Sequence, residues 1–138
     1  MSMYFAIAKS ALEIEELLSR MRNKKIPATL LNENCAECEK QLEAAYELAI
    51  NAFEQKANVS QDLQMEFLMW LSASAHAHTA IEKCGAKNRQ RFVFAYFGKE
   101  NGEKIAKENA INIIEKIPKR MDESRLKKII EEMAISRI

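Results

Sequence analysis

Two thiols three residues apart, Cys35-Ala36-Glu37-Cys38, have the spacing of a thiol–disulfide redox pair at a helix start. Glu37 and Glu39 beside them disfavour a thiolate, and no Trp or Pro flanks the pair, so ordinary helix-start residues are the simpler reading. Adding His76-Ala77-His78 completes a formal set of two cysteines and two histidines. Zinc sites on helices place histidines three to five apart, whereas residues 76 and 78 would diverge by about 200°. The chain has no Gly-rich phosphate loop, no nucleophile elbow and no HExxH motif. Two histidines and three glycines leave little from which to build a catalytic centre. Binding is therefore favoured over catalysis, with no catalytic residue, metal or cofactor expected, and a small thiol or zinc protein using Cys35 and Cys38 stays as the lesser alternative.

Charge supplies the second chemical feature. The net charge is only +1, yet the stretch from Lys87 to Lys128 has 12 basic and 6 acidic residues, a net of +6, against 9 basic and 14 acidic elsewhere. Lys87, Arg89 and Arg91 lead into a strand, and Lys116, Lys119, Arg120, Lys127 and Lys128 extend the series. Such residues suit phosphate contact, although a solvated basic rim is the plain alternative. No aromatic residue stands clearly exposed beside them to stack a base.

The elements that would position these residues read as a strand at Tyr4–Ala8, a helix bearing Leu12, Leu17, Leu18 and Met21, and a strand at Ile26–Leu31. Asn34 and Glu37 have the form of a capping box opening a long helix with Leu42, Ala45, Ala49, Ala52 and Phe53 inward. Ser60 or Asp62 caps the next, in which Leu63, Phe67, Trp70 and Leu71 form one stripe and Met65, Leu68 and Met69 another. A helix apolar on so many sides is either central in the core or docks a partner through one stripe, a role that suits Met and Trp. Ala73–Cys84 is a short helix stopped by Gly85 as a left-handed cap, and Phe92–Phe97 is the clearest strand. Ala106, Ala110, Ile113, Ile114 and Ile117 follow as a helix stopped by Pro118, and Asp122 caps a last one carrying Leu126, Ile129, Ile130 and Met133.

These elements predict an α/β (α+β) fold, a small central sheet of about three or four strands packed by about six helices, in a single domain over residues 1–138. A chain of 15.8 kDa with 48% hydrophobic residues can build such a core, and no apolar run is long enough to cross a bilayer. The opening Met1-Ser2-Met3 lacks a signal-peptide pattern and the cysteines number three, so a reducing, cytoplasmic setting is expected.

Glu66-Phe67-Leu68-Met69-Trp70-Leu71-Ser72, followed by Ala80-Ile81 and Gly85, resembles the small kinase-binding regulatory subunit of the KEOPS tRNA-modification complex. That family has a helix ending in Leu-Ser-Gly, then Arg-Gln-Ile, then Ala-Ile and a Gly before a final strand. Ala28 with Leu30-Leu31, the Ala45, Ala49, Ala52-Phe53 helix, Phe97-Gly98 and Ile130-Glu131-Glu132-Met133-Ala134 also fall where the family has similar residues. The chain departs from the pattern at Ala73, which replaces the Gly, and at Ala75-His76-Ala77, which stand where Arg-Gln-Ile is usual.

The resemblance implies a non-catalytic subunit that docks on the N-terminal lobe of the complex's small kinase/ATPase. That kinase contacts the enzyme transferring threonylcarbamoyl to the adenosine beside the tRNA anticodon. The resemblance also implies tRNA recruitment, through the single-stranded 3′ end as thought for archaeal relatives. Met65, Leu68, Met69 and Trp70 are then the kinase-side candidates, and Lys87, Arg89, Arg91, Lys116, Lys119, Arg120, Lys127 and Lys128 the tRNA candidates. A protein-binding adaptor without nucleic-acid contact is the alternative. No membrane partner is expected, and the isolated chain should be a monomer or weak dimer.

Overall fold

Bulky, largely β-branched or aromatic runs set the sheet. In the computed structural model, which describes residues 3–137, the strands are β1 (Tyr4–Lys9), β2 (Ala28–Leu31), β3 (Phe92–Tyr96) and β4 (Asn112–Lys116). Met1 and Ser2 of the opening stretch lie outside the described residues. The helices are α1 (Ile14–Asn23), α2 (Glu39–Glu54), α3 (Leu63–Leu71), α4 (Ala77–Cys84), α5 (Gly102–Glu108) and α6 (Glu123–Ile135), with a short 3-10 turn at Glu33–Cys35. The protein thus has the α+β fold expected, with four strands and six α-helices among the described residues. None of these helices is long and apolar enough to cross a membrane.

Contacts divide the chain into two compact units. The sheet unit is Met1–Glu33 with Ala86–Ile117, and the helical unit is Asn34–Gly85 with Pro118–Ile138.

In the sheet unit the strand order is β2-β3-β1-β4, all neighbours antiparallel. Every residue of β2 and β3 is buried, so these strands are apolar on both faces, as their sequences require. On one face Ala8, Leu30, Phe92, Phe94 and Tyr96 pack with Leu17 and Met21 of α1 and Ile105 and Ala106 of α5. Burying each Phe or Leu contributes roughly 1.5–3 kcal/mol, which makes this cluster the unit's main source of stability.

The helix expected from Ala106 to Ile117 is instead α5 followed by β4. Ala110 adopts φ 64°, where a helix cannot continue, and after Ile111 the β-branched Ile113 and Ile114 sit within the strand. Asn109 Nδ2 donates to Ile105 O (2.7 Å), finishing α5 before the turn. The resulting strand pairs with β1 and leaves Ile114 exposed at the sheet's edge.

In the helical unit the expected Asn34 capping box is replaced by another arrangement. Asn34 lies in the 3-10 turn and α2 begins at Glu39, with Cys38 as an N-cap that makes no side-chain bond. The amides of Glu39 and Lys40 donate instead to the carbonyls of Pro118 and Lys119 (2.8 and 3.1 Å). Gln41 adds a local brace, accepting from Glu37 N and donating to Cys35 O. Asp62 and Asp122 do cap α3 and α6, accepting from Gln64 N and Arg125 N. Gly85 is not a left-handed cap: its φ is −69°, and glycine is needed because a Cβ there would lie 2.7 Å from Ile81 O.

Candidate partner-binding surface

The helical unit is built around α3, whose residues Glu66 to Leu71 are all buried. Of the stripe expected to face a kinase, Leu68, Met69 and Trp70 are enclosed and Met65 is half-buried. In the folded chain these three side chains present almost no surface, whereas Met65 keeps a partly open face. Their methionine and tryptophan content is spent on filling the core around α3.

After α3 the chain turns sharply at Ala73. Ala73 N donates to Trp70 O and Ser74 N to Met69 O, the pattern of a helix end closed by a residue of positive φ, here 54°. This is the position at which the resembled family has glycine, and the turn explains why glycine suits it.

The turn delivers α4, which is mostly surface. Only Ala80 and Cys84 of its eight residues are buried, while Ala77, His78, Thr79, Ile81, Glu82 and Lys83 face solvent. Ile81 is 47% exposed, among the few large apolar side chains left open to water. His76 is exposed at the α4 N-cap, and His78 Nε2 lies 2.7 Å from Glu82 Oε1 on the outer face. Lys83 Nζ donates to Ser72 O (3.1 Å), tying α4 back to the end of α3.

Cys84 forms a disulfide with Cys35, with Cα atoms 5.5 Å apart. Cys38 is buried and free. The alternative that paired Cys35 with Cys38 for redox or zinc chemistry is thereby corrected: Cys35 bonds to a residue 49 positions away, and Cys38 lies inside the unit at the start of α2. No cluster of three or more His, Cys, Asp or Glu arranged for a metal occurs among the described residues.

A buried ionic knot joins α3 to the chain after α6. The Glu66 carboxylate, fully buried, accepts from Val59 N (3.1 Å), Ser60 N (2.9 Å), Trp70 Nε1 (3.0 Å) and Arg137 Nη1. The Arg137 guanidinium also lies over the Trp70 ring, 4.3 Å from its centroid. Burial by itself would raise the Glu66 pKa, but the bonds from Arg137, Ser60 and Trp70 and the Arg137 charge outweigh it and hold the carboxyl below its ordinary 4.5.

The eight tRNA candidates divide between the units. In the sheet unit Arg89 bonds Glu13 (2.8 Å) and Ala11 O, and Arg91 bonds Glu33 (2.7 Å) and lies 3.5 Å from Glu115. Lys116 sits over the Tyr4 ring, and Lys87 is exposed. In the helical unit Lys119, Arg120, Lys127 and Lys128 are all exposed and have no ion pair among the described residues. The neighbouring Arg125 is taken up by Glu37 through bonds from Nη2 and Nε. The four free cations of the helical unit therefore offer the more available charge.

Sequence reasoning passed over a further basic run, Arg20, Arg22, Lys24 and Lys25, treating that region as a helix ending. Arg20 and Arg22 occupy the last turn of α1, and Lys24 Nζ donates to Asn109 Oδ1 (3.0 Å). The alternation of cations was the available signal, and their position at a helix C-terminus accounts for them electrostatically. For Ile81 the signal was the Ala80-Ile81 pair itself, whose exposure no periodicity reveals.

Compared with known families, residues 5–138 match the model described as "Kinase binding protein CGI-121". No curated protein matches the chain.

Proposed function

The chain belongs to the CGI-121 family of kinase binding proteins, and we propose that it is the non-catalytic, kinase-binding subunit of a cytoplasmic KEOPS complex that also helps recruit tRNA. The observation that carries this reading is Ile81: an apolar residue of the pair shared with the resembled subunit stands in water rather than in the core. A hydrophobic side chain on an otherwise polar helix is the kind of anchor around which a protein interface forms. We place the kinase contact on the outer face of α4 and the tRNA contact on Lys119, Arg120, Lys127 and Lys128. Each phosphate neutralised by such a residue releases counterions and makes binding sensitive to salt.

A second reading, an adaptor without nucleic-acid contact, is favoured by the engagement of Arg89 and Arg91 with Glu13, Glu33 and Glu115. Fluorescence anisotropy across a salt series separates the two, with labelled intact tRNA and the same tRNA lacking its single-stranded 3′ end. Tight, salt-sensitive binding that is lost on trimming supports recruitment by the 3′ end. Equal, weak binding to both, with kinase binding intact by calorimetry, supports the adaptor.

A further inference from the structure

Helix α4 packs against α3 but buries few side chains of its own. Its two buried residues are Ala80, which offers a single methyl group, and Cys84, which is half of the disulfide. Among the described residues, the hydrogen bond that an α4 side chain sends beyond its helix is that of Lys83 Nζ to Ser72 O. By contrast α2 buries Gln41, Leu42, Ala45, Tyr46, Ala49 and Ala52, and α3 buries six consecutive residues. The partners of the disulfide lie one residue inside each end of the stretch Asn34–Gly85, so the bond closes that stretch at its base, next to its least anchored helix.

We propose that the Cys35–Cys84 disulfide is a redox-sensitive clasp: oxidised, it holds α4 in place, and reduction by a protein dithiol releases α4 while α2 and α3 stay folded. Cys35 is half-buried whereas Cys84 is 1% exposed, so an incoming thiolate reaches Cys35 Sγ. The bond from Cys35 to Cys84 breaks as a mixed disulfide to Cys35 forms, and Cys84 leaves as a thiolate and takes up a proton. The second thiol of the reductant then attacks its own mixed-disulfide sulfur, and Cys35 leaves as a thiolate and is protonated. The reductant ends as a disulfide, having given two electrons, and the chain gains two thiols. The buried Cys38 takes no part. Segments with few buried contacts are the ones that open first when a restraint is lost.

Amide hydrogen exchange, read by mass spectrometry on the full chain, tests the clasp in its oxidised form, in dithiothreitol, and in Cys35→Ser. Thiol titration of the denatured oxidised protein should find one free thiol. Reduction should speed exchange in α4 by roughly a hundredfold, with α2, α3 and β3 changed by less than about twofold, and Cys35→Ser should reproduce the reduced pattern. Three free thiols before reduction, unchanged α4 exchange, or loss of protection across α2, α3 and α4 together would each overturn the proposal. The consequence for partner binding rests on the kinase reading: kinase affinity should fall about tenfold on reduction. If the oxidised chain fails to bind the kinase at all, that reading fails, while the exchange data still decide the clasp.

Discussion

The sheet unit and the helical unit reach order by different means. The sheet unit is held by an apolar cluster on its central strands, and it engages Arg89 with Glu13 and Arg91 with Glu33 and Glu115. The helical unit uses a disulfide and a buried ion pair, and it leaves Val59, Ile81, Ile135 and the cations at 119, 120, 127 and 128 open to water. A disulfide closing a loop of this length contributes about 4 kcal/mol through loss of chain entropy in the unfolded state, a contribution that needs no further apolar burial. The difference teaches that point restraints can stabilise a unit while its surface stays available to partners.

The largest effect should come from the sheet. Phe94→Ala removes a fully buried ring and should cost about 3–5 kcal/mol, read from denaturant unfolding. A cost below about 1 kcal/mol would mean that the sheet unit is not held by its apolar cluster.

In the helical unit Arg137→Met leaves the Glu66 carboxylate buried without its cation and should cost about 3 kcal/mol. The pair also sets a pH dependence. Because the folded carboxyl titrates below its ordinary 4.5, its contribution is complete above that value and is lost as pH falls through the lowered folded value. Unfolding midpoints measured from pH 7 downward should therefore drop more steeply below pH 4.5 in the native chain than in Glu66→Gln.

A smaller effect, of opposite sign, is expected at the turn into α4. Ala73 holds φ 54° against a steric penalty of about 1 kcal/mol, so Ala73→Gly should raise stability by up to that amount. Calorimetric melting would show it, and a lowered melting temperature would count against strain at this turn. The smallest effect belongs to the sheet unit's surface. Arg89→Ala breaks an exposed ion pair and should change stability by less than about 1 kcal/mol, diminishing further in high salt.

Much of this was readable from residue types. The runs at Tyr4–Ala8 and Phe92–Phe97 are too bulky and too apolar to be anything but buried strands, and Asp62 and Asp122 stand where helix caps belong. The β4 strand was not readable, because Ala106, Ala110, Ile113, Ile114 and Ile117 satisfy helical spacing and nothing about the residue Ala110 announces its positive φ. The disulfide was hidden by distance along the chain: Cys38 is the near neighbour of Cys35, and only folding brings Cys84 to it. The burial of Met69 was not readable for a related reason, since composition does not distinguish a stripe that docks a partner from one that fills a core. The resemblance itself reached further than periodicity could, marking both Ala80-Ile81 and the glycine position now held by Ala73.

One pair of substitutions tests the contrast between the units most directly. Ile81 and Ile114 are similarly exposed, at 47% and 43%, one on α4 of the helical unit and one on β4 of the sheet unit. Calorimetric titration of the partner kinase with Ile81→Glu and with Ile114→Glu places the same charge on each. Affinity reduced at least about tenfold by Ile81→Glu and changed less than about twofold by Ile114→Glu is the result expected if the helical unit carries the kinase surface. The reverse order, or no loss from Ile81→Glu in a chain that remains folded, would contradict it.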